Sequence, residues 1–166
     1  MNDLSKEEYE KLFDADFETG ILKWKTRLSL RTQIGANVGT KNHRGYITTS
    51  INRKIHSVHR IILIMAGIDI FEKEVDHINH KRDDNRLINL RAVENHDSKK
   101  NYPLRKDNTS GYVGIIRKTN KWVARIYVDK KQIHLGVFLD KKEAISARKT
   151  ANIKYGFHEN HGEYSV

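Results

Sequence analysis

The chain's only proline lies in YPLRKDNTS, residues 102–110, a run of turn formers that separates two differently patterned halves. With 166 residues and 37% apolar side chains the available core is modest, and such a break favours two small modules over one large globule. Before the break, short strand-like and helix-like stretches alternate. After it, three closely spaced strand candidates precede one alanine-rich helix. The expected class is α+β, with residues 1–101 as a first module, 102–110 as a linker and 111–157 as a second.

The formal net charge is +10, and its placement is more informative than its size. Residues 1–22 hold seven acidic and two basic side chains, whereas residues 23–60 hold nine Lys/Arg and no Asp/Glu. Residues 98–131 add ten Lys/Arg against Asp107 and Asp129. Basic blocks of this kind attract polyanions, and release of counterions favours nucleic-acid binding. There is no cysteine, which excludes a disulfide framework, a thiol nucleophile and a cysteine-based zinc site. No run of about 18 apolar residues marks a membrane span, and the acidic start is unlike a signal peptide, so a cytoplasmic location is expected.

In the first module, Ser5 and Glu8 form a capping box ahead of a short helix over 5–13, with Tyr9, Leu12 and Phe13 on one face. A strand follows in FETGILKWK. GYITTSI (45–51) and KIHSV (54–58) read as a hairpin around Asn52-Arg53, with Lys41, Arg44, Arg53 and Lys54 placed for phosphate contacts. Residues 58–67 predict a buried helix that stops at Gly67. Then come a strand over 74–78, a polar loop over 79–88, a strand over 89–93 and a helix over 94–101.

The stretch EVDHINHKRDDNRLINLRAVENHDSKKN, 74–101, carries the chemistry. Phosphodiester hydrolysis needs an activated water, neutralised phosphate oxygens and help for the departing 3′ oxygen. A neutral histidine can serve the first need and a divalent cation the other two. Asp76 and His77 are adjacent on a strand, so regular geometry points them to opposite faces. VDHINHKRDDNRLINLRAV resembles the core of the HNH homing-endonuclease family, whose fold is the ββα-metal finger. The match runs through Asp76, His77, Asp84, Asn85, Asn89, Leu90 and Arg91, with VHR at 58–60 upstream. The resemblance implies that His77 is the general base and that Asp76 is a ligand for Mg²⁺, with Mn²⁺ as substitute. Asn89 would hold the loop and orient the histidine. The family's helical metal ligand falls on Ser98, a weaker donor, and Asn101 one turn later is the alternative. His96 and Asp97 point elsewhere on a regular helix. Arg91 is a candidate DNA contact, and His80 stands beside the motif.

In the second module, strands over 112–118, 121–128 and 132–138 join through Thr119-Asn120 and Asp129-Lys130-Lys131. Asp140 and Glu143 cap a helix through Tyr155, with Ala144, Ala147, Ala151 and Tyr155 on one face. Residues 108–157 resemble the Apetala2-type DNA-binding domain of plant ethylene-response factors. The residues that carry the likeness are Gly111-Tyr112-x-Gly114, Lys121-Trp122-x-Ala124, Leu135-Gly136-x-Phe138 and Glu143-Ala144. The resemblance implies a sheet that meets DNA through Arg117, Arg125, Tyr127, Gln132 and His134, with Lys118 and Lys121 on phosphates and Trp122 in the core. Val113, Ile116 and His134 depart from the family pattern, so its base preference does not transfer.

Together these readings imply a metal-dependent endonuclease of homing or phage type acting on double-stranded DNA as a monomer or weak dimer. It would work in the cytoplasm, that of the host cell if phage-encoded. A non-catalytic DNA-binding regulator with a worn nuclease fold is the alternative, and an RNA-binding sheet a third reading.

Overall fold

The computed structural model describes residues 3–30, 32–94 and 98–163, the side chains of residues 98 and 99 excepted. The chain divides into two compact units, Met1–Asn95 and His96–Val166. Both mix helix with small antiparallel sheets, giving an α+β fold. Among the described residues no helix is long and apolar enough to cross a membrane.

The first unit opens with α1 (Lys6–Leu12), whose Ser5 cap accepts from the Glu8 N–H while Glu8 returns a carboxylate to the Ser5 N–H. The helix stops one residue earlier than expected, because Phe13 begins β1 (Phe13–Asp16), which pairs with β2 (Ile21–Trp24). Phe13 gains more as a strand residue. Its ring lies between Tyr9, at 6.2 Å between centroids, and Trp24, at 4.9 Å. The hairpin turns where Asp16 Oδ1 accepts the N–H groups of Glu18 and Thr19.

A second sheet follows in the order β3 (Thr40–Lys41), β4 (Ile47–Ile51) and β5 (Lys54–Ser57). Asn52 and Arg53 both take positive φ, 49° and 63°, as a tight primed turn demands. α2 (Val58–Met65) buries Val58, Ile61, Ile62, Leu63 and Met65 against Tyr9, Phe13, Leu22 and Ile51. The last element of the unit is a two-stranded ribbon, β6 (Glu74–His77) against β7 (Leu90–Val93), close to the expected bounds.

Of the helix expected over 94–101, Ser98–Asn101 form a single 3₁₀ turn and residues 95–97 lie outside the described residues. Pro103 disfavours α-geometry at Tyr102, so the turn ends at Asn101. Residues 102–110 are tied into the second unit. Leu104 is buried and donates its N–H to Glu163 O at 2.9 Å, and Gly162 donates to Tyr102 O at 2.8 Å. The sheet of this unit runs β10 (Lys131–Phe138), β9 (Lys121–Val128), β8 (Ile115–Lys118), and α3 (Lys141–Lys154) packs on it. Ile115, Ala124 and Ala144 form its core, with Trp122, Leu135, Phe138 and Ile145 around them. Arg148 shares the buried face with Ala144 and Ala151. Its Nη1 donates to Arg125 O at 2.7 Å, and a Cβ on Gly114 would meet that guanidinium.

Gly20 ties the β1–β2 turn to the loop after β6. It takes φ 72°, and a methyl group there would overlap the backbone of Asn85 and Arg86. Gly20→Ala therefore combines left-handed strain with a clash against backbone, and a cost of about 3 kcal/mol is expected in denaturant unfolding of the full chain. An unchanged unfolding midpoint would show that this approach is not needed.

Candidate functional site

The ribbon sets the site by alternation. Val75 and His77 face the core with Leu90 and Ala92, while Asp76 projects to the other side with Arg91. Asp76 and His77 therefore lie on opposite faces, as their adjacency predicts. His77 ends β6 and is 4% exposed. Asp76 Oδ2 accepts from Arg91 Nη2 at 2.8 Å and Nε at 3.1 Å, so this arginine, expected to face DNA, is committed to its cross-strand neighbour.

The loop between the strands is polar yet closely held. Asn89 is buried; its Oδ1 accepts from the Asn79 N–H at 3.0 Å and its Nδ2 donates to Asp84 O at 2.8 Å. Asn89 thus pins the loop as expected, and it is Asn85, not Asn89, whose side chain lies in hydrogen-bond contact with His77. Asn85 is 3% exposed and places Oδ1 3.2 Å from His77 Nε2. The Asp84 carboxylate takes both Arg86 Nε, at 2.7 Å, and Asn79 Nδ2, at 2.6 Å. Its hydrogen bonds to Arg86, chiefly, hold its pKa down at about 2. His80 adopts φ 63° and donates its N–H to His77 O at 3.0 Å.

Two rings complete the setting: His59, noted in the sequence only as part of VHR, and Tyr46, which had no assigned role there. His59 lies edge-on to His77 at 5.1 Å between centroids, and Tyr46 stands 5.2 Å from His59 and 5.8 Å from His77. Arg82 covers Tyr46 at 5.1 Å and donates to Arg44 O at 2.9 Å, while Lys41 pairs with Asp83 at 2.7 Å. The β3–β4 hairpin thereby packs on the loop with part of its basic charge already paired. The available signal for His59 was its place beside Arg60 at the start of the otherwise apolar VHRIILIM.

In the second unit, register decides which residues share a face. Arg125 pairs with His134, Tyr127 with Gln132, and Lys121 with Lys118, so these six lie together on the side away from Ala124 and Ile126. Arg117 is a correction: it stands opposite Trp122 and so lies on the helix side, its guanidinium 5.8 Å from the Trp122 ring centre. The reason is parity, since Arg117 and Lys118 are neighbours and only one can face outward. On the outer face Gln132 Oε1 accepts from Tyr127 Oη at 2.5 Å and Arg125 Nη1 at 2.9 Å.

Ser98 and Asn101 belong to the second unit, and Asn101 is buried. His96 and Asp97 lie outside the described residues. Among the described residues no three His, Cys, Asp or Glu side chains gather as a metal-holding group. Asp76 alone is nevertheless chemically suited to Mg²⁺, which is commonly held by one or two carboxylates plus waters and substrate phosphate. Comparison with protein-family models, curated proteins and solved structures finds no match.

Burial pushes His56, His59 and His77 below the ordinary imidazole range, His59 to about 3. His59 is also disfavoured as a cation by His77 and Arg60, with Asp3 opposing them, and its Nδ1 is buried without a hydrogen-bond partner. Below about pH 6.5 the unfolded chain takes up a proton that folded His59 refuses, so stability falls as pH drops toward 3. His59 steepens the loss by about 1.4 kcal/mol per pH unit across that range. His59→Phe should remove about one proton's share of that slope, read by denaturant unfolding at pH 7 and 5. A slope unaltered by the substitution would mean that His59 is not held neutral.

Proposed function

We propose that the chain is a metal-dependent DNA endonuclease of the HNH ββα-metal type, with an Apetala2-like sheet for target recognition. The observation that carries this reading is the seating of His77. It is a neutral imidazole at the end of a two-stranded ribbon, anchored by Asn85 and next in sequence to Asp76, whose carboxylate projects from the opposite face, in a chain of net charge +10. Asp76 would hold the cation, Mg²⁺ or Mn²⁺, with waters and substrate phosphate as its further ligands. When bound, that cation supplies neutralisation of the phosphate oxygens and of the departing 3′ oxygen. His77 takes the proton from the attacking water, leaving 5′-phosphate and 3′-hydroxyl ends. Arg125, Tyr127, Gln132 and His134 meet base edges of duplex DNA, and Lys118 and Lys121 meet phosphates. The protein acts as a monomer or weak dimer in the cytoplasm, that of the host if phage-encoded.

A second reading, a DNA-binding protein without cleavage, draws on two observations. His77 shows solvent only 4% of its surface, and Asp76 is already doubly bonded by Arg91. Plasmid nicking by the full chain in Mg²⁺, Mn²⁺ and chelator separates the two. The endonuclease reading expects cleavage with either cation, none with chelator, and a loss of about a hundredfold or more in His77→Ala with duplex affinity retained. Equal cleavage by His77→Ala rejects the base, and binding without any cleavage by the wild type selects the second reading. For the recognition sheet, Lys121→Ala should lower the slope of log affinity against log salt by about one for duplex DNA. An unchanged slope removes Lys121 from the phosphate contacts.

A further inference from the structure

We infer that Gln132 is a positioning residue that sets the Arg125 guanidinium for a base edge. The inference rests on the recognition reading of the outer sheet face for its meaning, and not on cleavage. Gln132 Oε1 accepts from Arg125 Nη1 at 2.9 Å and from Tyr127 Oη at 2.5 Å. Tyr127 is its direct cross-strand neighbour, and Arg125, which pairs with His134, is its diagonal one. A guanidinium only donates, so the amide oxygen, not the amide nitrogen, has to face Arg125. With both lone pairs of that oxygen taken, Gln132 has only its amide N–H groups left to offer outward. The bond spends one N–H of Arg125 and leaves Nε and Nη2, the side of the fork that meets two acceptors at once.

The backbone under Arg125 is held as well. Its N–H donates to Gly114 O at 2.8 Å, and its carbonyl accepts from Arg148 Nη1 at 2.7 Å. Arg148 is 6% exposed, and a Cβ on Gly114 would overlap both the Arg125 carbonyl and the Arg148 guanidinium. The Arg125 guanidinium lies 5.8 Å from the Tyr127 ring centre, so the ring limits its swing. A long side chain loses rotamer freedom when it binds, and one ordered beforehand loses less. The buttress is an amide and not a carboxylate, which leaves the positive charge of the face undiminished for a polyanion. Arg125 is thus fixed in place without being neutralised, unlike Arg91, whose guanidinium is paired with Asp76.

The test is selection of binding sites by the full chain from randomised duplex DNA, in chelator so that no cleavage intervenes. Arg125→Ala identifies the base position that Arg125 reads. Gln132→Met keeps the side-chain length and removes the acceptor. It should lower the preference at that position about tenfold or more, with affinity averaged over all sequences within about threefold of wild type. Gln132→Glu keeps the acceptor and should retain the preference within about threefold, while weakening binding to every duplex alike. In ¹H–¹⁵N spectra of the free protein in the cold, Arg125 should show resolved, slowly exchanging Nη signals in the wild type and Gln132→Glu, and averaged ones in Gln132→Met. Wild-type preference at the Arg125 position in Gln132→Met overturns the inference, as do averaged Nη signals in the wild type. So does a Gln132→Glu protein that loses this preference as fully as Gln132→Met, since Gln132 would then read that base itself. Should the spectra follow the expected pattern while Arg125→Ala alters no base preference, Gln132 still sets Arg125 and the recognition reading falls.

Discussion

The buried amide of Asn89 ties the start of a ten-residue polar loop to its middle, accepting from Asn79 N–H and donating to Asp84 O. A loop of this composition has little apolar surface to bury, so its shape has to come from hydrogen bonds. Both bridged groups are backbone, and leaving either unsatisfied in a buried setting costs about 1–3 kcal/mol. The bridge is therefore strongly specified. What depends on it is the path of Asp84 and Asn85, and through Asn85 the setting of His77. Gly20 contributes from the far side, where the absence of a side chain allows the β1–β2 turn to close on the same backbone.

Charge is distributed around this site in two ways. Inside, His56, His59 and His77 are buried and favoured neutral. Outside, basic side chains and carboxylates pair: Arg91 with Asp76, Arg86 with Asp84, Lys41 with Asp83. These exposed or half-exposed pairs add little stability singly, but they hold side chains at defined places around the loop. The outer sheet face of the second unit is different. Lys118, Lys121, Arg125 and His134 stand together on it without an acidic residue among their cross-strand partners, a surface suited to a polyanion.

Features set by local rules were legible in the sequence. The Ser5–Glu8 capping box, the Asn52-Arg53 turn, the 74–77 and 90–93 strands and the sheet-plus-helix order of the second unit all follow from capping, turn chemistry and alternation. Features set by tertiary contacts were not. Phe13 reads as the end of an apolar helical face, yet packing against Trp24 makes it a strand residue. Arg148 lies on the helical face with Ala144 and Ala151 by spacing, but an arginine is expected outside, and only a carbonyl acceptor within the unit explains its burial. His59 and Tyr46 are far from His77 in sequence and join it only through packing. Asn85 was visible within the motif, while its role required knowing that the turn after Asp84 points its amide inward. Arg117 was misplaced because the strand was read without fixing its register against Trp122.

The central claim is that the Asp76–His77 ribbon is a cation-dependent cleavage centre, and the most direct test is to locate the ion. Crystals of the full chain soaked in Mn²⁺ should show an anomalous scattering peak at coordination distance, about 2.2 Å, from an Asp76 carboxylate oxygen. No peak there under conditions that saturate other divalent sites, with Arg91 still bonded to the same carboxylate, would contradict the account.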